Sequence, residues 1–193
     1  MQKKLLSLAL FLGIIASFTS CNYNALVEQQ ESVDKAWSEV ENQYQRRADL
    51  IPNLVNTVKG YAAHEENTLT EVVNARANAS SVTIQAEDLT DENLARFQQA
   101  QDALSQGIGR LMAVAEAYPD LKANENFQEL QAQLEGTENR IAVARRNYNE
   151  VAQQYNAAIR KFPTLIYAGW FGFTKKPYFQ AAAGANQAPV VEF

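Results

Sequence analysis

The sequence predicts an all-α protein, an elongated antiparallel bundle of three to four long helices with coiled-coil-like heptad packing. Three observations carry this reading. Apolar residues recur in alternating steps of three and four along three long runs. Only 5 prolines occur in 193 residues, and two of them, Pro119 and Pro163, stand where those runs stop. No stretch alternates with the period of two that a half-buried strand needs. With 47% apolar and 20% charged residues, the chain has enough apolar surface to bury a core of ordinary size.

Residues 1–21 read MQKKLLSLALFLGIIASFTSC. Lys3 and Lys4 precede an apolar stretch, Leu5 to Phe18, of 14 residues. At about 1.5 Å per residue this falls short of a hydrocarbon core about 30 Å thick, which favours a signal peptide over a spanning helix. The run ends on Thr19, Ser20 and Cys21, an arrangement that resembles a bacterial lipoprotein signal. That resemblance implies cleavage after residue 20 and lipidation (palmitate among the acyl groups) of Cys21. Phe18 stands where that class usually has Leu. Cys21 is the only cysteine, so the chain forms no internal disulfide and no multi-thiolate zinc site.

From Leu26 the first seam runs through Gln30, Val33, Trp37, Val40, Tyr44, Arg47, Ile51, Leu54, Val58 and Tyr61. Its phase passes unbroken through Pro52, although a proline inside a helix removes one hydrogen bond and costs about 3 kcal/mol. Two structures fit: one helix from about Asn24 to Ala79 kinked at Pro52, or a break near Arg47 with Asp49 capping a second helix. The kept phase favours the continuous helix. Residues 80–90, SSVTIQAEDLT, read as a loop, with Thr90 as N-cap of the next helix. That helix carries Leu94, Phe97, Gln101, Leu104, Ile108, Leu111, Ala115 and Tyr118, and Pro119 ends it. Gly107 and Gly109 weaken it and suggest close approach of a neighbour. The third seam is Phe127, Leu130, Leu134, Thr137, Ile141, Ala144, Tyr148, Val151, Tyr155, Ala158 and Phe162, stopped by Pro163. Residues 162–179, FPTLIYAGWFGFTKKPYF, contain seven aromatics, and 180–193 read as a flexible tail. The domain plan is therefore a signal peptide over 1–20, a helical domain over 21–179 and the tail.

The formal charge is −5, and more negative once Lys3 and Lys4 leave with the leader. That balance argues against nucleic acid as a partner, and against anionic lipid attracted through overall charge.

Three groups of residues invite a functional reading. His64-Glu65 resembles half of a zinc-protease motif, but a second histidine one turn on is required and position 68 is Thr; a helix-surface or interhelix hydrogen-bonding histidine is the better reading. Arg46, Arg47, Asp49 and Asn53 form a polar cluster, and Arg47 occupies a seam position where a desolvated charge must be paired. Arg145, Arg146 and Asn147 form a second cluster on the last helix. In an antiparallel bundle the two clusters can meet, with Asp49 to Arg145 or Arg146 as the expected pair and Asp49→Ala as a destabilising change. A register-fixing polar network is favoured over a binding site for an anionic group. The aromatic segment has two readings. It folds back to plug one bundle end, or it meets a membrane interface or membrane-protein partner through Tyr167, Trp170, Phe171, Phe173, Lys175 and Lys176, with Tyr178 beside them. No Ser-His-Asp order, phosphate loop or metal motif is present, and no cofactor is expected.

The stretches RRADLIPNLVNTVKGYAAHE, AYPDLKANENFQELQ, EGTENRIAVARRNYNEVAQQYNAAIRKFP and FGFTKKPYF, in that order, resemble the LemA family of bacterial envelope proteins over about residues 22–193. The resemblance implies an all-α elongated bundle, membrane attachment near the N-terminus and no established enzymatic activity. Many members look anchored by an uncleaved N-terminal helix, whereas this chain has a short apolar stretch and Cys21. The resulting expectation is a membrane-anchored, non-catalytic envelope protein with its folded domain outside the cytoplasm. It would be held by an N-terminal lipid (or an uncleaved helix) and serve as a scaffold for another envelope protein. The alternative is a ligand-binding protein or uncharacterised enzyme using the polar clusters at 46–65 and 145–147.

Overall fold

The computed structural model describes residues 2–180, with side chains from Tyr23 to Gln180. The 14-residue apolar stretch, the side chain of Cys21 and most of the expected tail therefore lie outside the described side chains. Among the described residues no helix is long and apolar enough to cross a membrane.

The described residues form six helices in order: α1 (Gln2–Tyr61), α2 (Glu66–Ser81), α3 (Asp91–Ala115), α4 (Pro119–Lys122), α5 (Glu125–Ile159) and α6 (Thr164–Tyr167). Single 3₁₀ turns cover Ala86–Asp88 and Ala168–Phe171. Helix α1 runs through Pro52 without interruption, and Pro52 itself faces solvent. It does not reach Ala79. It stops at Tyr61, just after Gly60, and residues 62–65 turn the chain back. A single helix to Ala79 would leave Leu69, Val72 and Ala79 with nothing to pack on. The turn lays them against α1 and α3, where they are buried. The hairpin is antiparallel, since Arg76 Nε donates to the carbonyl of Ala48 at 2.8 Å.

The other caps follow from local chemistry. Thr90 Oγ1 accepts from the Asn93 N–H at 3.2 Å, and Asn124 Oδ1 does the same for Phe127 at 3.0 Å at the start of α5, each satisfying a donor left free by the first helical turn. Pro119 starts α4 rather than merely ending α3. Helix α5 ends at Ile159, four residues before Pro163, so the expected seam residue Phe162 lies beyond it and is 82% exposed. At its C-terminal end the seam shifts to Ala152, Tyr155, Asn156 and Ile159, all buried. Tyr61 also leaves the seam, and Ala62 is buried in its place.

Helices α1 and α3 are parallel; α2 and α5 run the other way. The far half of the rod is a four-helix bundle of α1, α2, α3 and α5. Its core holds Ile51, Leu54, Val58, Leu69, Val72, Leu104, Leu111 and Leu134. In the near half only α1, α5 and the start of α3 remain. The residues that complete that core come from elsewhere: Ile84 and Leu89 from the α2–α3 connection, and Phe173 and Phe179 from the segment after α6.

Gly107 and Gly109 differ in use. A Cβ at Gly107 would meet Val72 Cγ2 at 3.4 Å, so α2 approaches there, whereas a Cβ at Gly109 meets nothing within 4 Å. Gly109→Ala is expected to stabilise the protein by about 0.4–1 kcal/mol. Gly107→Leu is expected to destabilise it by about 1–3 kcal/mol through overpacking. Urea unfolding midpoints check both.

Candidate functional site

The boundary between the two cores is polar. Arg47, 1% exposed, stands on α1 between Tyr44 of the near core and Ile51 of the far core. Its Nη1 donates to Glu138 Oε1 at 2.7 Å and to Ser105 Oγ at 2.6 Å. Its Nη2 donates to the side chain of Gln101 at 2.7 Å and to the Gln101 carbonyl at 3.0 Å. Gln101 Nε2 then donates to the carbonyl of Ala79 at 3.4 Å, so one network joins α1, α2, α3 and α5. The guanidinium carbon lies 5.1 Å from the Tyr44 ring centroid, a favourable placement for a cation. Thr137, fully buried, completes the layer on α5 and donates to the carbonyl of Gln133 at 2.7 Å. Arg47, Gln101 and Thr137 are all seam residues, which is why their side chains point at one another.

The expected meeting of the two clusters does not occur. Asp49 is exposed and accepts from Gln45 Nε2 at 2.7 Å. Arg145 donates to the carbonyl of Gln180 at 2.9 Å and lies 4.8 Å from the Phe179 ring. The antiparallel register explains this. Arg47 lies level with Glu138, so Arg145 falls about 10 Å further along the rod at 1.5 Å per residue. Arg46, Asn53 and His64 are exposed, and the Asn53 carbonyl accepts from Thr57 Oγ1 at 2.8 Å. Glu65 accepts from the Tyr118 hydroxyl at 3.1 Å, a bond that raises the Tyr118 phenol pKa. Arg146 and Asn147 instead line an open groove of about 510 Å³ between α1 and α5, together with Glu39, Gln43, Arg140 and Glu150. Of the expected cluster, then, only Arg47 sits in a buried network. Its partners Gln101, Ser105 and Glu138 were not foreseen, although Gln101 stood out as a polar residue at a seam position.

A second constellation holds the segment after α6. The Asn156 amide donates to the carbonyl of Lys176 at 2.8 Å and accepts from its N–H at 2.9 Å. Asn149 grips Phe179 in the same way, at 3.0 and 2.9 Å. The Tyr148 hydroxyl donates to the Pro177 carbonyl at 3.1 Å, and burial pushes its pKa well up, so it stays a donor. Residues 173–180 thus form a strap along α5. Phe179 stacks on Trp37 with ring centroids 6.0 Å apart, and Trp37 Nε1 donates to the Ile84 carbonyl at 3.1 Å.

This corrects three of the expected membrane or partner contacts. Tyr167 and Phe173 are buried, and so is Lys176. Lys176 Nζ donates to the Ala86 carbonyl at 2.7 Å and lies 3.6 Å from Asp34. Burial still raises the Asp34 pKa despite that cation, with Glu31 adding to the rise. Trp170, Phe171 and Lys175 are exposed. The folding back therefore belongs to residues 173–179 and runs along the side of the bundle, while 162–171 caps its end. Among the described residues no three His, Cys, Asp or Glu side chains converge as metal ligands.

The sequence is similar to several known proteins over most of its length. Magnetosome protein MamQ 2 of Paramagnetospirillum magneticum is 28% identical over 186 residues, spanning 88% of this chain and 68% of that protein. Magnetosome protein MamQ of Magnetospirillum gryphiswaldense is 27% identical over 199 residues, 93% of this chain and 73% of that protein. Protein LemA of Metamycoplasma hominis is 25% identical over 159 residues, 82% and 69%. The LemA family model matches residues 36–193, from Ala36 in the near core through all the later helices and the strap, and the chain belongs to the LemA family.

Proposed function

We propose that the chain is a membrane-tethered, non-catalytic envelope protein, a stiff helical rod that presents its surface to another envelope component outside the cytoplasm. The observation that carries this reading is the buried polar layer that joins four helices. Arg47, the residue that most suggested a site, has both Nη groups taken up by Gln101, Ser105 and Glu138, and only its buried Nε lacks a partner. That use favours a register device over chemistry. Family membership supports the envelope setting, and relatives named as magnetosome proteins fit it. A lipid on Cys21 is the proposed tether, since two or more acyl chains hold a protein stably at about 0.8 kcal/mol per buried CH₂.

Cys21→Ala is expected to move the protein from the membrane fraction to the soluble fraction on cell fractionation. Retention of the variant in membranes with residues 1–20 still attached would replace the lipid with an uncleaved helix as the tether. Crosslinking in intact membranes, followed by identification of the adduct, is expected to yield a discrete envelope-protein partner. Recovery of a dedicated small-molecule ligand from the groove beside Arg146 and Asn147 would instead favour the ligand-binding alternative.

A further inference from the structure

The end of the rod nearest the N-terminus carries an apolar cap that the core does not use. Phe162 and Trp170 are each 82% exposed, Leu165 62%, Phe171 59% and Ile166 57%. These five side chains fall within ten residues of α6 and its flanking turns. Large apolar side chains so exposed and so concentrated mark a surface that meets something. The cap sits beside the point where α1 enters the described side chains. The Tyr23 ring packs edge-on against Phe171 at 5.2 Å and against Phe173 at 5.6 Å. Tyr23 follows Cys21 by two residues and Phe18 by five, so either kind of tether leaves the rod beside the cap.

Charge points the same way. The chain as a whole is acidic, but no Asp or Glu lies between Glu150 and Glu192. Arg160, Lys161 and Lys175, all exposed, flank the cap. Lys175 Nζ lies 5.9 Å from the Tyr178 ring. An exposed Trp and Phe ringed by Lys and Arg is the composition that suits the boundary between acyl chains and anionic head groups.

We infer that this cap is a lipid-facing foot: Phe162, Leu165, Ile166, Trp170 and Phe171 enter the bilayer interface, with Arg160, Lys161 and Lys175 at anionic head groups. The inference rests on the reading that the N-terminal end is tethered to a membrane. A tether alone lets the rod pivot; a tether plus a foot stands it up from the surface.

The test uses the full-length lipidated protein in vesicles of equimolar phosphatidylcholine and phosphatidylglycerol, with acyl chains brominated just below the head groups. The two tryptophans are Trp37, buried against Phe179 about 20 Å up the rod from Tyr23 at 1.5 Å per residue, and Trp170. The difference between the native protein and Trp170→Phe isolates Trp170. Its emission is expected to be blue-shifted and quenched by the brominated lipid. Lys161→Ala with Lys175→Ala is expected to reduce the quenching, and vesicles of phosphatidylcholine alone to do the same. If the protein floats with the vesicles while Trp170 stays red-shifted and unquenched, the foot is wrong and the tether stands. If it does not float with them, the tether reading fails first. Quenching absent in vesicles but shielding of Trp170 in native membranes overturns the lipid assignment in favour of a protein partner.

Discussion

Arg47→Ala is expected to lower stability by about 3–5 kcal/mol, a fall in melting temperature of about 10 °C or more for a domain of this size. The loss has two parts. Truncation opens a cavity between the two cores, since Arg47 is among the largest fully buried side chains. It also strands the buried acceptors of Gln101, whose desolvation is then uncompensated. Glu138→Gln removes the other end of the ion pair, but the Glu138 side chain is 47% exposed. The amide oxygen of a glutamine there still accepts from Arg47 Nη1, and the half-exposed position screens the lost charge, so the expected loss is about 1 kcal/mol. Arg47→Met keeps most of the volume and is expected to fall between the two. Asp49→Ala, which the sequence suggested as the damaging change, is expected to stay within about 0.5 kcal/mol because Asp49 is exposed and bonded only locally. Thermal melts of the four variants decide this. An Arg47→Ala protein melting within about 2 °C of the native one would mean that the polar layer does not hold the helices.

The second large effect lies at the strap. Asn156→Ala is expected to cost about 2–4 kcal/mol, because both backbone groups of Lys176 are left buried without partners. Asn156→Asp is the sharper variant. A carboxylate still accepts from the Lys176 N–H, but it faces the Lys176 carbonyl with no donor and buries a charge at a 4% exposed position, so a loss at least as large as for alanine is expected. Limited proteolysis should cut both variants within residues 173–180 before it cuts any helix. In a Trp170→Phe background, Trp37 emission should shift to the red as Phe179 leaves it. Unchanged cleavage and emission in Asn156→Ala would show that the strap is held by its aromatic contacts alone.

The helices were legible because their physics is local. A heptad seam states which face is buried, and residues from Leu26 to Val58 on α1 and from Leu94 to Ala115 on α3 obey it almost without exception. Continuity through Pro52 was legible for the same reason. The α1–α2 turn was not. Residues 61–66 contain no proline, and the phase gives no sign that the chain reverses there. That reversal is decided by what Leu69 and Val72 pack against, a tertiary matter. The site divided along the same line. A seam arginine announces that it must be paired, but not with whom. The pairing depends on the vertical register of antiparallel helices, which moved Arg145 about two turns from where Asp49 needed it. The strap was hidden because Asn149 and Asn156 look like ordinary polar helix residues until an extended segment is laid against them.

The near core has a further consequence, in the order of its assembly. The far half is complete once residues up to about Leu134 are present. The near half is not, because Trp37 awaits Phe179, which follows every helix. During synthesis the half that holds the N-terminal part of α1 must therefore remain open while the distant half is already folded, and it closes last. Until then its aromatic residues, Trp37, Phe97 and Tyr148 among them, are exposed. A chain arrested before residue 173 would be a folded tip on an unsealed stalk, the state in which aggregation and proteolytic surveillance act on a nascent envelope protein.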